Sequence, residues 1–289
     1  MTGLGLPKAD RPKEVGLSAK RLARVSATFR QDVERNVIPG AVVLVARGGR
    51  IAYAEAFGWR DREAKAPMEL DSIFRIASMT KPLTSVAAMM LADEGKLQVA
   101  AAVADYLPEF ADRTVGPDRV AAKRVMTVQD LLRHTSGLTY AGFGDSAVQM
   151  IWRDAQLMTE DQTNAEMVAK LASLPLMVEP GTTWEYSMST SRLQLRRDRP
   201  PAVRCARTRA RDGLRLRPGL CGAHRRRPMP ATWVGRRIFL GGVYGTAFWI
   251  DPVEQLVVVA MMLAPERRLY YRHLLCPLVY GALTNPASP

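Results

Sequence analysis

Two stretches at opposite ends of the chain have the apolar pattern of β-hairpins, and they constrain the fold more than any other feature. In residues 40–54, two apolar runs flank a Gly48-Gly49 turn. In residues 246–262, a second pair of apolar runs turns at Asp251-Pro252. A sheet buries its apolar face against another layer, and we expect the first and last of these strands to pair with each other. We therefore expect a single antiparallel sheet that is built from the N- and C-terminal strands.

Helical patterns flank and separate these hairpins. Residues 18–37 carry an apolar stripe at helical spacing, and Leu269 to Leu283 have the pattern of a closing helix. The stripe consists of Leu22, Val25, Phe29 and Val33. Two capping boxes, Thr127-x-x-Asp130 and Thr163-x-x-Glu166, open short helices, and Pro175 ends the second of them.

These elements predict an α/β fold of the α+β type, in which helices flank the antiparallel sheet and a mainly helical lobe is added. At 289 residues the chain can form one domain with a sizeable core. We expect a sheet lobe from residues 1–70 and 239–289 and a helical lobe from residues 71–190. Residues 191–237 belong to neither lobe.

Ser78-Met79-Thr80-Lys81 places a hydroxyl and an amine one helical turn apart. A serine hydroxyl is a poor nucleophile until a neighbouring base takes its proton, and Lys81 is within reach for that role. Pro82 suits a first helical turn, and an apolar run continues to Gly95. Ser78 is therefore predicted at a helix N-terminus. Since the spacing also occurs by chance, a capping serine with a solvated lysine is the alternative interpretation.

Further short motifs surround this tetrad in a fixed order. They are Phe74-Arg75-Ile76-Ala77, residues 130–138 (DLLRHTSGL), residues 180–187 (PGTTWEYS) and residues 241–246 (GGVYGT). With them the chain resembles the β-lactamase-related serine hydrolases, a superfamily of class C β-lactamases, penicillin-binding proteins and esterases. It is most similar to the esterase-like branch. The resemblance covers residues 10–190 and roughly 239–283, and it implies a β-lactamase/transpeptidase-like fold.

The resemblance also implies a role for the matching residues. Ser78 would be the acylated nucleophile, Lys81 its base and Tyr186 a second proton-transfer group. The backbone N–H groups of Ser78 and Val243 would form the oxyanion hole. Tyr140 either lines the acyl pocket or is a partly buried loop aromatic. The implied activity is that of a serine hydrolase with an acyl-enzyme mechanism.

The third motif of the family differs in this chain. β-Lactamases begin it with Lys or His, which holds the substrate carboxylate, and esterase relatives often have Trp there. This chain has Leu240, followed by Gly241 and Gly242, and the resemblance assigns all three to substrate binding. Without the cation a carboxylate loses its charge-assisted partner. A neutral ester is therefore favoured over a β-lactam, on which only weak activity is expected.

No metal or other cofactor is expected. His134, His224 and His273 lie far apart and lack partners at metal-ligand spacing. We expect His134 to shape a helix-to-loop junction rather than to act as a base. The expected partner is a small-molecule ester or amide substrate, with no nucleic acid and no membrane.

Residues 191–237 form an arginine-rich block with fifteen Arg, no Lys and two Asp, so they account for the whole net charge of +13. One interpretation is a basic arm for nucleic acid or an anionic surface, and a second is a disordered insertion. The third is translation in a shifted reading frame of GC-rich DNA that returns to frame near Phe239. The absence of Phe, Tyr, Ile and Lys, together with enrichment in Arg, Pro, Ala, Gly and Cys, favours the third.

A block of this composition buries little apolar surface. Because it separates the second and third motifs, the alternative function is that of a catalytically impaired or non-catalytic β-lactamase-like protein. Three cysteines, two of them in the block, give no disulfide framework. Residues 1–16 have no apolar signal core and no stretch has membrane-spanning length, so a cytoplasmic location is expected.

Overall fold

The computed structural model describes residues 5–140, 142, 144–157, 159, 161–187 and 237–286. Except for Arg237, the arginine-rich block lies outside the described residues, and so do the hypotheses about it. Contacts divide the chain into two compact units. The first consists of Met1–Thr80 with Arg226–Pro289, and the second is Lys81–Arg225.

Helices and strands of the described residues are numbered here in chain order. The α-helices are α1 (Ala19–Glu34), α2 (Thr80–Asp93), α3 (Val128–Arg133), α4 (Ala147–Asp154), α5 (Asn164–Ser173) and α6 (Arg268–Tyr280). The strands are β1 (Gly40–Arg47), β2 (Arg50–Asp61), β3 (Ala66–Pro67), β4 (Thr114–Val115), β5 (Val120–Ala121), β6 (Ile238–Gly241), β7 (Ala247–Asp251) and β8 (Leu256–Met262). Short 3-10 turns lie at Pro12–Val15, Ala77–Met79, Val103–Asp105 and Pro108–Phe110. Each helix in the described part of the chain is too short or too polar to cross a lipid bilayer.

The first unit contains a six-stranded sheet with the order β3-β2-β1-β8-β7-β6. Its neighbouring strands are antiparallel, and β1 pairs with both β2 and β8. The predicted hairpins close at the pairs Arg47↔Arg50 and Asp251↔Leu256. The prediction that the N- and C-terminal strands share one antiparallel sheet is therefore confirmed. β6 lies at the edge of this sheet, beside β7.

Helices α1 and α6 complete the core of the first unit. Phe29 of α1 stacks against Phe57 of β2 and Tyr271 of α6, with ring centroids 5.3 Å apart in both pairs. The predicted stripe of α1 is confirmed, since Leu22, Val25 and Phe29 are buried and Val33 packs against the same core. Full burial of one large apolar side chain contributes about 1.5–3 kcal/mol to the stability of the folded state.

The second unit has its own core, formed mainly by α3, α4 and α5 with the segments that join them. Trp152 and Leu171 are fully buried there, and the Trp152 indole N–H donates to the carbonyl of Pro175 at 2.8 Å. Both predicted capping boxes are present, and a further one opens α4. As predicted, α5 ends just before Pro175.

Helix α2 follows the predicted course, because it ends at Asp93 and Gly95 then takes a left-handed φ of +69°. Its apolar stripe is not buried. Leu83, Val86 and Met90 are 62%, 59% and 58% exposed, whereas the buried residues of α2 are Thr84 and Ala88. Periodicity thus identifies the helix correctly, but the side it buries carries small residues and the large apolar side chains lie on the exposed side.

Candidate active site

Ser78 is the middle residue of the 3-10 turn Ala77–Met79, which leads directly into α2. The turn is closed by a hydrogen bond from the Met79 N–H to the Ile76 carbonyl at 3.1 Å. Ala77 has a φ of +48°, in the left-handed region that residues with a Cβ rarely adopt. Such strain is worth about 1–3 kcal/mol and is concentrated at functional sites. Ser78 therefore lies at the start of a helical segment, as the sequence predicts, directly after a strained residue.

The loop after β6 lies against this turn within the first unit. The Thr246 hydroxyl donates to the Ile76 carbonyl at 3.3 Å, and the Gly242 N–H donates to the Thr246 carbonyl at 2.8 Å. A Cβ on Gly242 would lie 2.5 Å from the Ile76 oxygen, so only glycine allows this approach. The structure thus brings the Ser78 turn and Gly242 together. Val243, the next residue, is 52% exposed.

Arg272 of α6 packs against the same segment of β6. Its Nη2 donates to the Gly242 carbonyl at 3.3 Å, and its Cζ lies 5.4 Å from the centroid of the Phe239 ring. A Cβ on Gly241 would lie 1.8 Å from that Nη2. The two glycines therefore make room for different neighbours, an arginine at position 241 and the Ser78 turn at position 242.

Sequence reasoning missed Arg272. The third motif carries no cation of its own, because Leu240 stands where β-lactamases have Lys or His. Leu240 is half-buried in β6 and pairs with Phe248, while the cation beside the motif comes from a helix about thirty residues later. The available signal was the consecutive glycine pair, since glycine inside a strand marks a close approach by another group.

Lys81 and Tyr186 meet within the second unit. Lys81 Nζ donates a hydrogen bond to the Tyr186 hydroxyl at 2.9 Å and lies 4.6 Å from the centroid of its ring. Both side chains are half-buried. The structure therefore brings together the two residues to which the family resemblance assigns proton transfer, and a proton can pass directly between the amine and the phenol.

His134 supports the Tyr186 segment from the end of α3. It caps α3 with a left-handed φ of +58°, so it occupies the helix-to-loop junction that the sequence predicts. Its Nδ1 accepts from the Ser187 N–H at 3.3 Å, and its ring centroid lies 5.0 Å from that of Tyr186. Burial, with a smaller electrostatic contribution from nearby Lys81, lowers the pKa of His134 to about 4. The imidazole is therefore neutral at pH 7, as the accepting Nδ1 requires.

We expect His134 to make the protein less stable as the pH falls from about 6.5 to 4. Its pKa is about 4 in the folded state and about 6.5 when unfolded, so the unfolded state binds the proton more readily in this window. Stability is unaffected above the window and decreases by on the order of 3 kcal/mol across it. Urea unfolding of the wild type and His134→Asn at pH 7 and pH 4.5 measures this. Equal losses in both proteins would contradict the expectation.

Tyr140 lies half-buried in the loop that follows α3, in the same unit as Lys81 and Tyr186. Its two interpretations, as an acyl-pocket residue and as a loop aromatic, both stay predictions. Within the described ranges, no group of three His, Cys, Asp or Glu side chains is placed to hold a metal ion.

Comparison with known proteins matches residues 25–197 to the Beta-lactamase family. Esterase EstB of Burkholderia gladioli is 38% identical over 182 residues, which are 62% of this chain and 45% of the esterase. Lovastatin esterase of Penicillium rubens is 30% identical over 173 residues, which are 56% of this chain and 43% of that enzyme. The matched part thus spans less than half the length of these curated relatives.

The solved structure of EstCE1, a hydrolase with promiscuous acyltransferase activity, is similar to the chain in fold. It aligns with a TM-score of 0.67 and 20% identity, covering 92% of this chain and 99% of the other. This likeness confirms the predicted fold class, an antiparallel sheet with flanking helices and a helical part.

Proposed function

Because the chain belongs to the beta-lactamase family, we propose that it is a serine hydrolase that cleaves carboxylic esters through an acyl-enzyme at Ser78. The observation that carries the proposal is the 2.9 Å hydrogen bond from Lys81 Nζ to the Tyr186 hydroxyl, which joins residues 105 positions apart. Lys81 follows Ser78 by three positions, the spacing of one helical turn. An amine that is paired with a phenol and follows a serine by three positions is suited to moving the serine proton.

In the proposed acylation, Ser78 Oγ attacks the ester carbonyl carbon while Lys81 takes the hydroxyl proton. The negative charge that develops on the carbonyl oxygen is stabilised by the backbone N–H groups of Ser78 and Val243. When the intermediate collapses, the bond to the alcohol breaks, and the leaving oxygen receives a proton through Tyr186. The products of this step are the free alcohol and an ester between the acyl group and Ser78.

Deacylation repeats the same steps with water. The Lys81–Tyr186 pair takes a proton from a water molecule, whose oxygen attacks the acyl carbon. The bond to Ser78 Oγ then breaks, the serine regains its proton and the carboxylic acid leaves. The pair thus acts as base in one half of each step and as acid in the other.

The proposed substrates are neutral esters. Leu240 supplies no charge at the first position of the third motif, and the cation beside the motif, Arg272, donates to the Gly242 carbonyl, so a substrate carboxylate has no dedicated charged partner there. The two relatives named above are both esterases by name. We expect clear hydrolysis of p-nitrophenyl butyrate and much slower hydrolysis of a chromogenic cephalosporin.

A labelling experiment tests the proposal. The intact protein is treated with a fluorophosphonate, which reacts with activated serines, and the modified peptide is identified by mass spectrometry. We expect one adduct at Ser78, a burst of p-nitrophenol on mixing with p-nitrophenyl butyrate, and loss of both in Ser78→Ala. A correctly folded wild type without adduct and without burst would support the alternative, a non-catalytic family member.

A further inference from the structure

We propose that Arg272 is a positioning residue for the oxyanion hole, because it fixes the peptide group between Gly242 and Val243. This inference rests on the proposed function, in which the Val243 N–H is one of the two oxyanion donors. Arg272 does not touch the substrate in this proposal. It acts through the backbone of the third motif.

The geometry of one peptide group carries the inference. A peptide is planar and trans, so its C=O and N–H point in opposite directions. The Gly242 carbonyl and the Val243 N–H belong to the same peptide. That carbonyl accepts from Arg272 Nη2 at 3.3 Å and from the Gly245 N–H at 3.2 Å. Two donors on the oxygen hold the plane of the peptide, and they thereby set the direction of the N–H.

The position of the guanidinium is itself built into the fold. It lies near the face of the Phe239 ring and against the Cα of Gly241, where a Cβ would come within 1.8 Å of Nη2 and 2.2 Å of Cζ. The neighbouring α6 residues Tyr271 and Leu275 are in the core of the first unit. The helix is therefore anchored, and Arg272 extends from it to the end of β6.

The charge of Arg272 matters as well as its shape. A cationic donor forms a stronger hydrogen bond than a neutral one, and a bond at the carbonyl polarises the peptide and strengthens its N–H as a donor. Lysine keeps the charge but lacks the planar fork, so it should replace Arg272 only in part.

Two measurements on Arg272→Met test the inference, with Arg272→Lys as the conservative variant. Arg267→Met is the matched control, because Arg267 is an exposed arginine at the start of the same helix. The first measurement is amide hydrogen exchange of the peptide that covers residues 240–246, which we expect to be about tenfold faster in Arg272→Met than in the control. It needs no catalytic activity.

The second measurement compares an aryl ester with its thionoester, whose sulfur is a poor acceptor for oxyanion donors. We expect kcat/KM for the ester to fall about tenfold in Arg272→Met, less than the loss of a whole oxyanion donor. The preference for ester over thionoester should fall with it and recover partly in Arg272→Lys. Unfolding curves of all variants establish that each is folded.

The outcomes distinguish the role of Arg272 from the proposed function. If exchange and the ester preference are the same in Arg272→Met and in Arg267→Met, Arg272 does not position the peptide and the inference is overturned. If exchange rises only in Arg272→Met and the ester preference falls with it, the inference holds. If the wild type shows no ester burst, the proposed function fails, and the exchange measurement alone then decides whether Arg272 holds the Gly242–Val243 peptide.

Discussion

Replacing Lys81 by methionine is expected to lower kcat/KM for an aryl ester by about 10³-fold, the contribution of a well-placed general base. Methionine keeps the apolar stem and has a high helix propensity, so α2 should remain intact. What it removes is the amine that donates to the Tyr186 hydroxyl at 2.9 Å. The burst of p-nitrophenol and the rate of fluorophosphonate labelling measure the loss, since both depend on activation of the serine.

Lys96→Met is the matched control for this change. Lys96 lies just after α2, is exposed, and forms an ion pair with Glu94 at 2.7 Å. Exposed pairs of this kind contribute at most about 1 kcal/mol to the free energy of unfolding, so Lys96→Met should remain folded. We therefore expect its activity to stay within about twofold of the wild type. A Lys81→Met protein that is folded and keeps its full burst would contradict the role of Lys81 as base.

Tyr186→Phe shows whether the two groups act as one unit. If they do, the double variant Lys81→Met/Tyr186→Phe loses little more activity than Lys81→Met alone. Losses that multiply would mean that each group acts by itself on the substrate. The hydrogen bond between Lys81 and Tyr186 favours a small additional loss in the double variant, because a proton that leaves one group is taken up by the other.

Local sequence patterns were sufficient for the hairpins and the caps. The turn at Gly48-Gly49 sets the pairing of β1 with β2 within a few residues, and the box of Thr127 and Asp130 is closed by atoms three positions apart. Turns and caps of this kind depend on residues that are close in sequence, so a short stretch of sequence is enough to predict them. The pairing of β1 with β8 was also predicted, because the first and last strands are both apolar and were expected in one sheet.

Contacts over long separations could not be predicted in the same way. The periodicity of residues 269–283 predicts α6, but it does not say that Arg272 reaches the carbonyl of Gly242. The same holds for His134, whose ring meets a backbone N–H 53 residues later. These contacts depend on how one element packs against another, which the identity of the residues leaves open.

The family match does not extend to the third motif. The family match ends at residue 197, inside the arginine-rich block, whereas the strand of the third motif begins at Ile238. Within the first unit, Gly242 and Thr246 still meet the turn of Ser78. That contact is therefore the point at which the N-terminal motif and the motif after the block depend on each other most directly.

Replacing Gly242 by alanine is expected to lower kcat/KM by about 10²-fold, as the loss of an oxyanion-hole donor does. The new Cβ would lie 2.3 Å from Thr246 Oγ1 and 2.5 Å from the Ile76 oxygen, well inside a van der Waals contact of about 3.5 Å. Thr246→Ala in the same chain removes only the first clash. Because the second clash is with backbone, the end of β6 must move away from the Ser78 turn, and the double variant should stay as slow as the single one.

Gly95→Ala separates this effect from a general loss of stability. Gly95 has a left-handed φ of +69° and no atom within 4 Å of an added Cβ, so alanine there strains the backbone without touching any neighbour. We expect Gly95→Ala to lower Tm while leaving kcat/KM unchanged, and Gly242→Ala to lower both. Full activity in a folded Gly242→Ala protein would show that the close approach of β6 to the Ser78 turn is not required for catalysis. Since our proposal relies on that approach to bring the Val243 N–H to the nucleophile, the proposed oxyanion role would then have to be abandoned as well.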